Sequence, residues 1–159
     1  MGKRNVIVLS AIFLAFVFIA GTLYAATKVD DVIKMQNKAY KEHTKGIVEF
    51  SHKKHNEEYQ IGCGDCHHDD KGQPLKDLQM GDEVQSCMEC HKIPGKMPGE
   101  MKKEMKASGA SKKEIDAKEL EFHAEAIHAN CISCHKDFNK KNNTKDAPTS
   151  CTKCHPKQE

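Results

Sequence analysis

The pattern Cys-x-x-Cys-His occurs four times and uses every cysteine of the chain: Cys63, Cys66 and His67; Cys87, Cys90 and His91; Cys131, Cys134 and His135; Cys151, Cys154 and His155. Few folds can accommodate this. A disulfide frame gives no role to the histidine that follows each pair. Two zinc sites of four thiolates each would use all the cysteines but leave all four histidines unexplained. Covalent haem uses all three residues of each motif. Thiols at i and i+3 lie on one side of a helical turn, within reach of the two vinyl groups on one haem edge. The next residue then turns its imidazole back to the iron, and histidine is the usual proximal ligand. Four motifs imply four covalently bound haem c groups.

The N-terminus places this chemistry outside the cytoplasm. Residues 1–5, MGKRN, are short and basic, and residues 6–26 are apolar or small and end in Ala25 and Ala26. This reads as a secretory signal peptide over residues 1–26. The alternative is an uncleaved anchor, because 21 residues suffice to span a bilayer. Only that alternative would tie the chain to a membrane. The exported compartment tolerates disulfides, so the histidines, not the compartment, decide against a disulfide frame.

Residues 27–45 form a polar lead segment, and the stretch over residues 30–40 reads as a short helix or an unstructured lead. Residues 46–159 form the haem-bearing domain. Residues 46–50, GIVEF, are the best strand candidate. The whole chain is 38% apolar and 30% charged, which is lean for a side-chain core, and much of the apolar part lies in the export segment. A small chain of this kind needs apolar mass from elsewhere. The expected fold is small, mainly α and irregular, with short helices and loops wrapped around four haems and short strands near its N-terminus.

Four irons need up to eight axial ligands. Beyond the motif histidines the chain has His43, His52, His55, His68, His123 and His128. His52 and His55 are spaced i, i+3 and share a face if that stretch is helical. His67 and His68 are consecutive, so they point apart and cannot serve one iron. Met97, Met101 and Met105 could supply a potential-raising thioether, but their spacing among charged residues reads as a helix face. Gly109 ends one short helix, and Ser111 with Glu114 forms a capping box that opens the next. Ala117, Leu120, Ala124 and Ile127 make an apolar stripe that His128 joins and His123 misses by one position. Residues 136–150 read as a polar loop.

Taken together, "FSHKKH", "CGDCHH", three further motifs and a histidine just before the third resemble the tetrahaem cytochrome c3 family of class III multihaem cytochromes, over roughly residues 46–155. The resemblance implies four bis-histidine haems. It pairs His52 with His67, His68 with His91, His55 with His135, and His128 with His155. It also implies a periplasmic low-potential electron carrier, not an enzyme, working between hydrogenase or formate dehydrogenase and membrane-bound cytochrome complexes in anaerobic respiration. No nucleic-acid partner is expected. A membrane-anchored quinol dehydrogenase subunit and a component of an extracellular haem wire are the competing readings. A histidine supply that closes every iron disfavours a haem reductase.

Overall fold

The computed structural model describes residues 29–157. The apolar segment expected to direct export lies outside the described residues. Among those described, no helix is long and apolar enough to cross a membrane.

The lead segment forms an edge, not a helix. Strand β1 (Ile33–Lys34) pairs antiparallel with β2 (Glu49–Phe50), with Ile33 opposite Phe50. β-branched residues cluster on both sides of this ladder (Val32 and Ile33, then Ile47 and Val48), and they favour the extended backbone. The Met35 amide donates to the Val48 carbonyl at 2.8 Å and the Lys53 amide to the Asp31 carbonyl at 3.2 Å. The lead is therefore stitched to the stretch that carries His52 and His55.

After β2 the chain makes a π-helical turn (Lys54–Glu58) and a 3₁₀ turn (Cys63–Asp65). Helix α1 (Cys87–Cys90) is a single turn. Helices α2 (Gly99–Ala107) and α3 (Lys112–Glu119) lie against each other as a hairpin. Gly109 takes a φ of +83° in the turn between them, where a side chain would be strained. The Ser111 amide donates to the Glu114 carboxylate at 2.7 Å, and the Ser111 hydroxyl accepts from the Glu114 amide at 3.3 Å, completing the capping box.

The expected apolar stripe does not run along one helix. Backbone over residues 120–122 leaves the helical path. Ile93 accepts from the His123 amide at 2.8 Å and donates to the Glu121 carbonyl at 3.1 Å, so Ile93 and Phe122 form a parallel bridge. The first amides of α4 (His123–Lys141) thus find partners in the loop after the second motif. Leu120 and Ala117 end exposed, while Phe122 is buried. Helix α4 also runs on through the third motif to Lys141, six residues into the expected loop. It stops where Asn143 adopts a left-handed φ of +50° and the Thr144 amide caps the Asn139 carbonyl at 2.9 Å. Helix α5 (Cys151–Cys154) closes the described chain.

The buried apolar side chains among the described residues are Met97, Ile115, Phe122 and Ala126. Ile115 lies in α3, Met97 just before α2, and Phe122 and Ala126 at the start of α4. The motif segments contribute none. The small side-chain core is thus set apart from the four motifs.

This separation makes Ile115→Ala a local lesion. The substitution should cost about 2–5 kcal/mol. Amides of α2 and α3 should exchange roughly 30-fold faster or more, while haem content and visible spectrum stay unchanged. Hydrogen-exchange mass spectrometry checks it, and a loss of haem in the variant would show that the hairpin core also supports the motifs.

Candidate metal centres

Each motif is wound as one turn. The amide of the motif histidine donates to the carbonyl of the first cysteine four residues back: His67 to Cys63 at 2.9 Å, His91 to Cys87 at 2.9 Å, His155 to Cys151 at 2.8 Å. The third motif lies inside α4 and has the same winding. Both thiols of a pair therefore project on one side, as haem attachment requires. All eight cysteines are free thiols, each exposed or half-buried.

The spare histidines converge on the motif histidines in four pairs. Ring centres lie 6.5 Å apart for His52 and His67, 5.9 Å for His68 and His91, 6.2 Å for His55 and His135, and 6.1 Å for His128 and His155. Two imidazole nitrogens each about 2 Å from one metal atom, with ring centres roughly 1 Å beyond them, would place those centres about 6 Å apart. The four spacings fit a single atom between each pair. The planes cross at 74°, 76° and 71° in three pairs and lie within 28° of parallel for His55 and His135. Among the described residues no three His, Cys, Asp or Glu side chains converge as a zinc site requires.

Several backbone carbonyls hold these rings. A carbonyl can only accept, so a ring Nδ1 bonded to one carries the proton, and Nε2 keeps the lone pair that a metal needs. His55 Nδ1 donates to Ser51 at 2.9 Å, His68 to Asp69 at 2.7 Å, His135 to Pro148 at 2.6 Å and His155 to Gly46 at 2.8 Å. His91 Nδ1 donates to the Leu120 carbonyl. His52 and His128 differ, because each Nδ1 is buried and has no partner.

Local sequence explains how the carbonyls arrive. The Asp69 carboxylate accepts from the Lys71 and Gln73 amides at 2.9 and 2.7 Å, and Gly72 with φ +74° completes the turn that sets the His68 ring. The Asn139 side chain bonds the backbone of Ala147 in both directions, at 2.8 and 3.1 Å, and so delivers the Pro148 carbonyl to His135. The Phe50 ring lies 4.6 Å from His55 and 5.8 Å from His52. The widened π turn then lets those two rings diverge to different partners instead of sharing a face. Asn139, Gly46 and Leu120 were missed in the sequence, since a residue acting through its carbonyl or its loop contacts leaves no side-chain signature.

His123 and His43 lie elsewhere. The Tyr40 hydroxyl and His123 Nδ1 share a hydrogen bond of 2.8 Å, and Tyr40 stacks on His43 at 5.4 Å. Burial holds His67 below the ordinary histidine range, and His52 and His68 add to this. Burial also lowers His128, with further contributions from Lys96 and His155. Both rings are therefore neutral at neutral pH, the form that ligates metal. The Cys66 thiol is pushed up to about 11, first by desolvation and then by the neighbouring Cys131 and Cys134 sulfurs.

A cavity of about 490 Å³ lies beside His67 and beside His68 of the His68 and His91 pair, lined also by Cys90, the apolar Leu75 and Val84, and the acidic Asp69, Asp70, Glu83 and Glu89. That size falls in the range of small-molecule and cofactor sites. Val84 and Leu120 near this pair, and Phe138 one turn beyond His135, are large apolar side chains left exposed. They offer apolar surface where a porphyrin would cover it. Cysteine winding, ring spacing, tautomer and exposed apolar surface all fit haem c.

The chain matches the Class III cytochrome C family over residues 28–155. It is similar to "Cytochrome c3" of Desulfovibrio desulfuricans, 32% identical over 116 residues that span 72% of this chain and 82% of that protein. No solved structure gives a significant match.

Gly46 offers a selective test of one centre. A Cβ there would lie 2.2 Å from the Pro156 carbonyl oxygen, closer than atoms can approach, and relief should cost about 1–3 kcal/mol. Gly46→Ala is expected to move the carbonyl that His155 donates to, shift the resonances of the His128 and His155 rings, and leave those of His68 and His91 in place. Imidazole NMR spectra check this, and equal shifts at both pairs would show that the clash spreads through the fold.

Proposed function

The chain belongs to the class III cytochrome c family, and from that premise we propose that it is a periplasmic, low-potential tetrahaem electron shuttle. The family comprises multihaem electron-transfer cytochromes that bind c-type haem and exchange electrons with redox proteins. The finer reading rests on one observation: four imidazole pairs, each joining a motif histidine to a distal one at 5.9–6.5 Å.

In this reading Cys63 and Cys66, Cys87 and Cys90, Cys131 and Cys134, and Cys151 and Cys154 anchor four haems by thioether bonds. His52 with His67, His68 with His91, His55 with His135, and His128 with His155 would ligate the four irons. Haem c bound there supplies an iron that takes up or releases one electron. Two imidazoles per iron leave no open position for substrate, which favours carrier over enzyme. They also lack the thioether that raises potential. Proposed partners are a hydrogenase or formate dehydrogenase on one side and a membrane-bound cytochrome complex on the other.

Charge suggests where a partner docks. The span over residues 131–159 has six lysines against three acids, and the span over residues 49–72 has six acids against three lysines. Lys53 and Lys54 also sit beside Asp31 and Glu58, at 3.6 and 3.8 Å, which cancels much of their field. Among the described residues, Lys153 donates to the Lys145 carbonyl at 3.4 Å and forms no salt bridge. The proposed dock for an acidic partner is the lysine-rich surface around the fourth motif.

A pyridine haemochrome assay should find four haems per chain. Electronic and magnetic spectra should show low-spin, six-coordinate iron in both redox states. Two haems or fewer, or tight carbon monoxide binding by the untouched reduced protein, would remove the proposal.

Stopped-flow reduction by a hydrogenase should slow as salt rises, because the steering field is screened. Lys153→Glu with Lys157→Glu should slow it by up to roughly 10-fold at low salt, more than Lys53→Glu with Lys54→Glu. Equal effects from the two pairs would place the dock elsewhere.

A further inference from the structure

We propose that the haems of the first and fourth motifs are reduced before those of the second and third, in an order set by which axial imidazoles donate to a backbone carbonyl. The inference rests on the axial pairing proposed above and goes beyond it to rank the four centres.

The rings divide unevenly. In the second pair both donate through Nδ1, His68 to Asp69 at 2.7 Å and His91 to Leu120. In the third pair both donate as well, His55 to Ser51 at 2.9 Å and His135 to Pro148 at 2.6 Å. In the fourth pair His155 donates to Gly46 at 2.8 Å, but His128 Nδ1 is buried and unpartnered. In the first pair His52 Nδ1 is likewise buried and unpartnered.

An imidazole whose Nδ1–H is bonded to an acceptor carries more electron density on Nε2 and is the more basic ligand. A more basic ligand stabilises ferric over ferrous iron and lowers the potential. Two such ligands act on the second and third centres. The first and fourth each include one ring that lacks this push, and its burial keeps solvent from supplying a substitute. Glu83, Glu89, Asp69 and Asp70 line one cavity together with both His67 and His68, so their negative charge favours the ferric ion at the first and second centres alike and does not rank them.

Ring planes supply an independent label. The third pair lies within 28° of parallel, and the other three cross at 71–76°. Parallel and crossed imidazoles split the ferric d orbitals differently, so the third centre should give an electron paramagnetic resonance signal distinct from the other three.

The test uses the intact four-haem protein. Dithionite is added in one-electron steps, and haem methyl resonances, assigned to each motif by contacts with its cysteines, report which centre is reduced at each step. The first and fourth haems should be reduced in the first two steps. Gly46→Ala, which displaces the acceptor of His155, should raise the potential of the fourth haem and leave that of the third unmoved. Reduction of the second or third haem before either of the others overturns the inference, as does a fourth haem whose potential is unchanged or lowered in the variant. The resonance spectrum of the oxidised protein separates the two levels of failure. One near-parallel and three crossed bis-imidazole signals with the wrong order refute the ranking alone, while high-spin iron refutes the pairing and the ranking together.

Discussion

A hydrogen bond from imidazole Nδ1 to a backbone carbonyl is the interaction on which much of this architecture depends. It fixes the tautomer, aims Nε2 at the facing ring and costs the chain only a correctly placed loop. Much of the irregular backbone can be understood as the means of delivering those carbonyls. The Asp69 turn sets its own carbonyl on His68, Asn139 holds the segment that presents Pro148, and the docked lead segment brings Gly46 to His155. A loop-rich protein is thereby locally well specified wherever a ring must be held.

The division of apolar surface follows from the same economy. Met97, Ile115, Phe122 and Ala126 provide a small buried cluster, and it sits where the α2–α3 hairpin meets the start of α4, outside the Cys-x-x-Cys-His turns themselves. Around the motifs the chain leaves large apolar side chains such as Val84 and Phe138 exposed. Removing such surface from water contributes about 25 cal/mol per Å², and a porphyrin is the partner of suitable size and polarity to do so. In the proposed holoprotein, cofactor and core are the same object. Covalent attachment would also link each haem to the folding of its own turn.

The hairpin is more than a decoration between the second and third motifs. Its exit, over residues 120–123, bridges to Ile93 and places the Leu120 carbonyl on His91. A hairpin between two motifs can thus position a ring it does not carry. The interaction is sequence-distant, since His91 and Leu120 are separated by 29 positions, and only packing brings them together.

Much of the chemistry was legible in the sequence because it is written in side chains at short spacing. Four Cys-x-x-Cys-His turns, the Ser111 capping box and the divergence of His67 from His68 all follow from local geometry. The resemblance implied four histidine pairs as iron ligands, which stays a proposal, and in the fold the ring centres of those residues lie 5.9–6.5 Å apart. Tertiary structure decided what local rules could not. The stripe from Ala117 to Ile127 broke at residues 120–122 because the amides of His123 and Ala124 found partners in the loop over residues 93–95. Helix α4 continued six residues past the third motif to a left-handed Asn143, and the lead became a strand because β2 offered it a ladder. Which imidazoles have a carbonyl and which are buried without one was likewise invisible. Every residue carries the same carbonyl, so no residue type announces that its own will meet a ring 29 or 109 positions away.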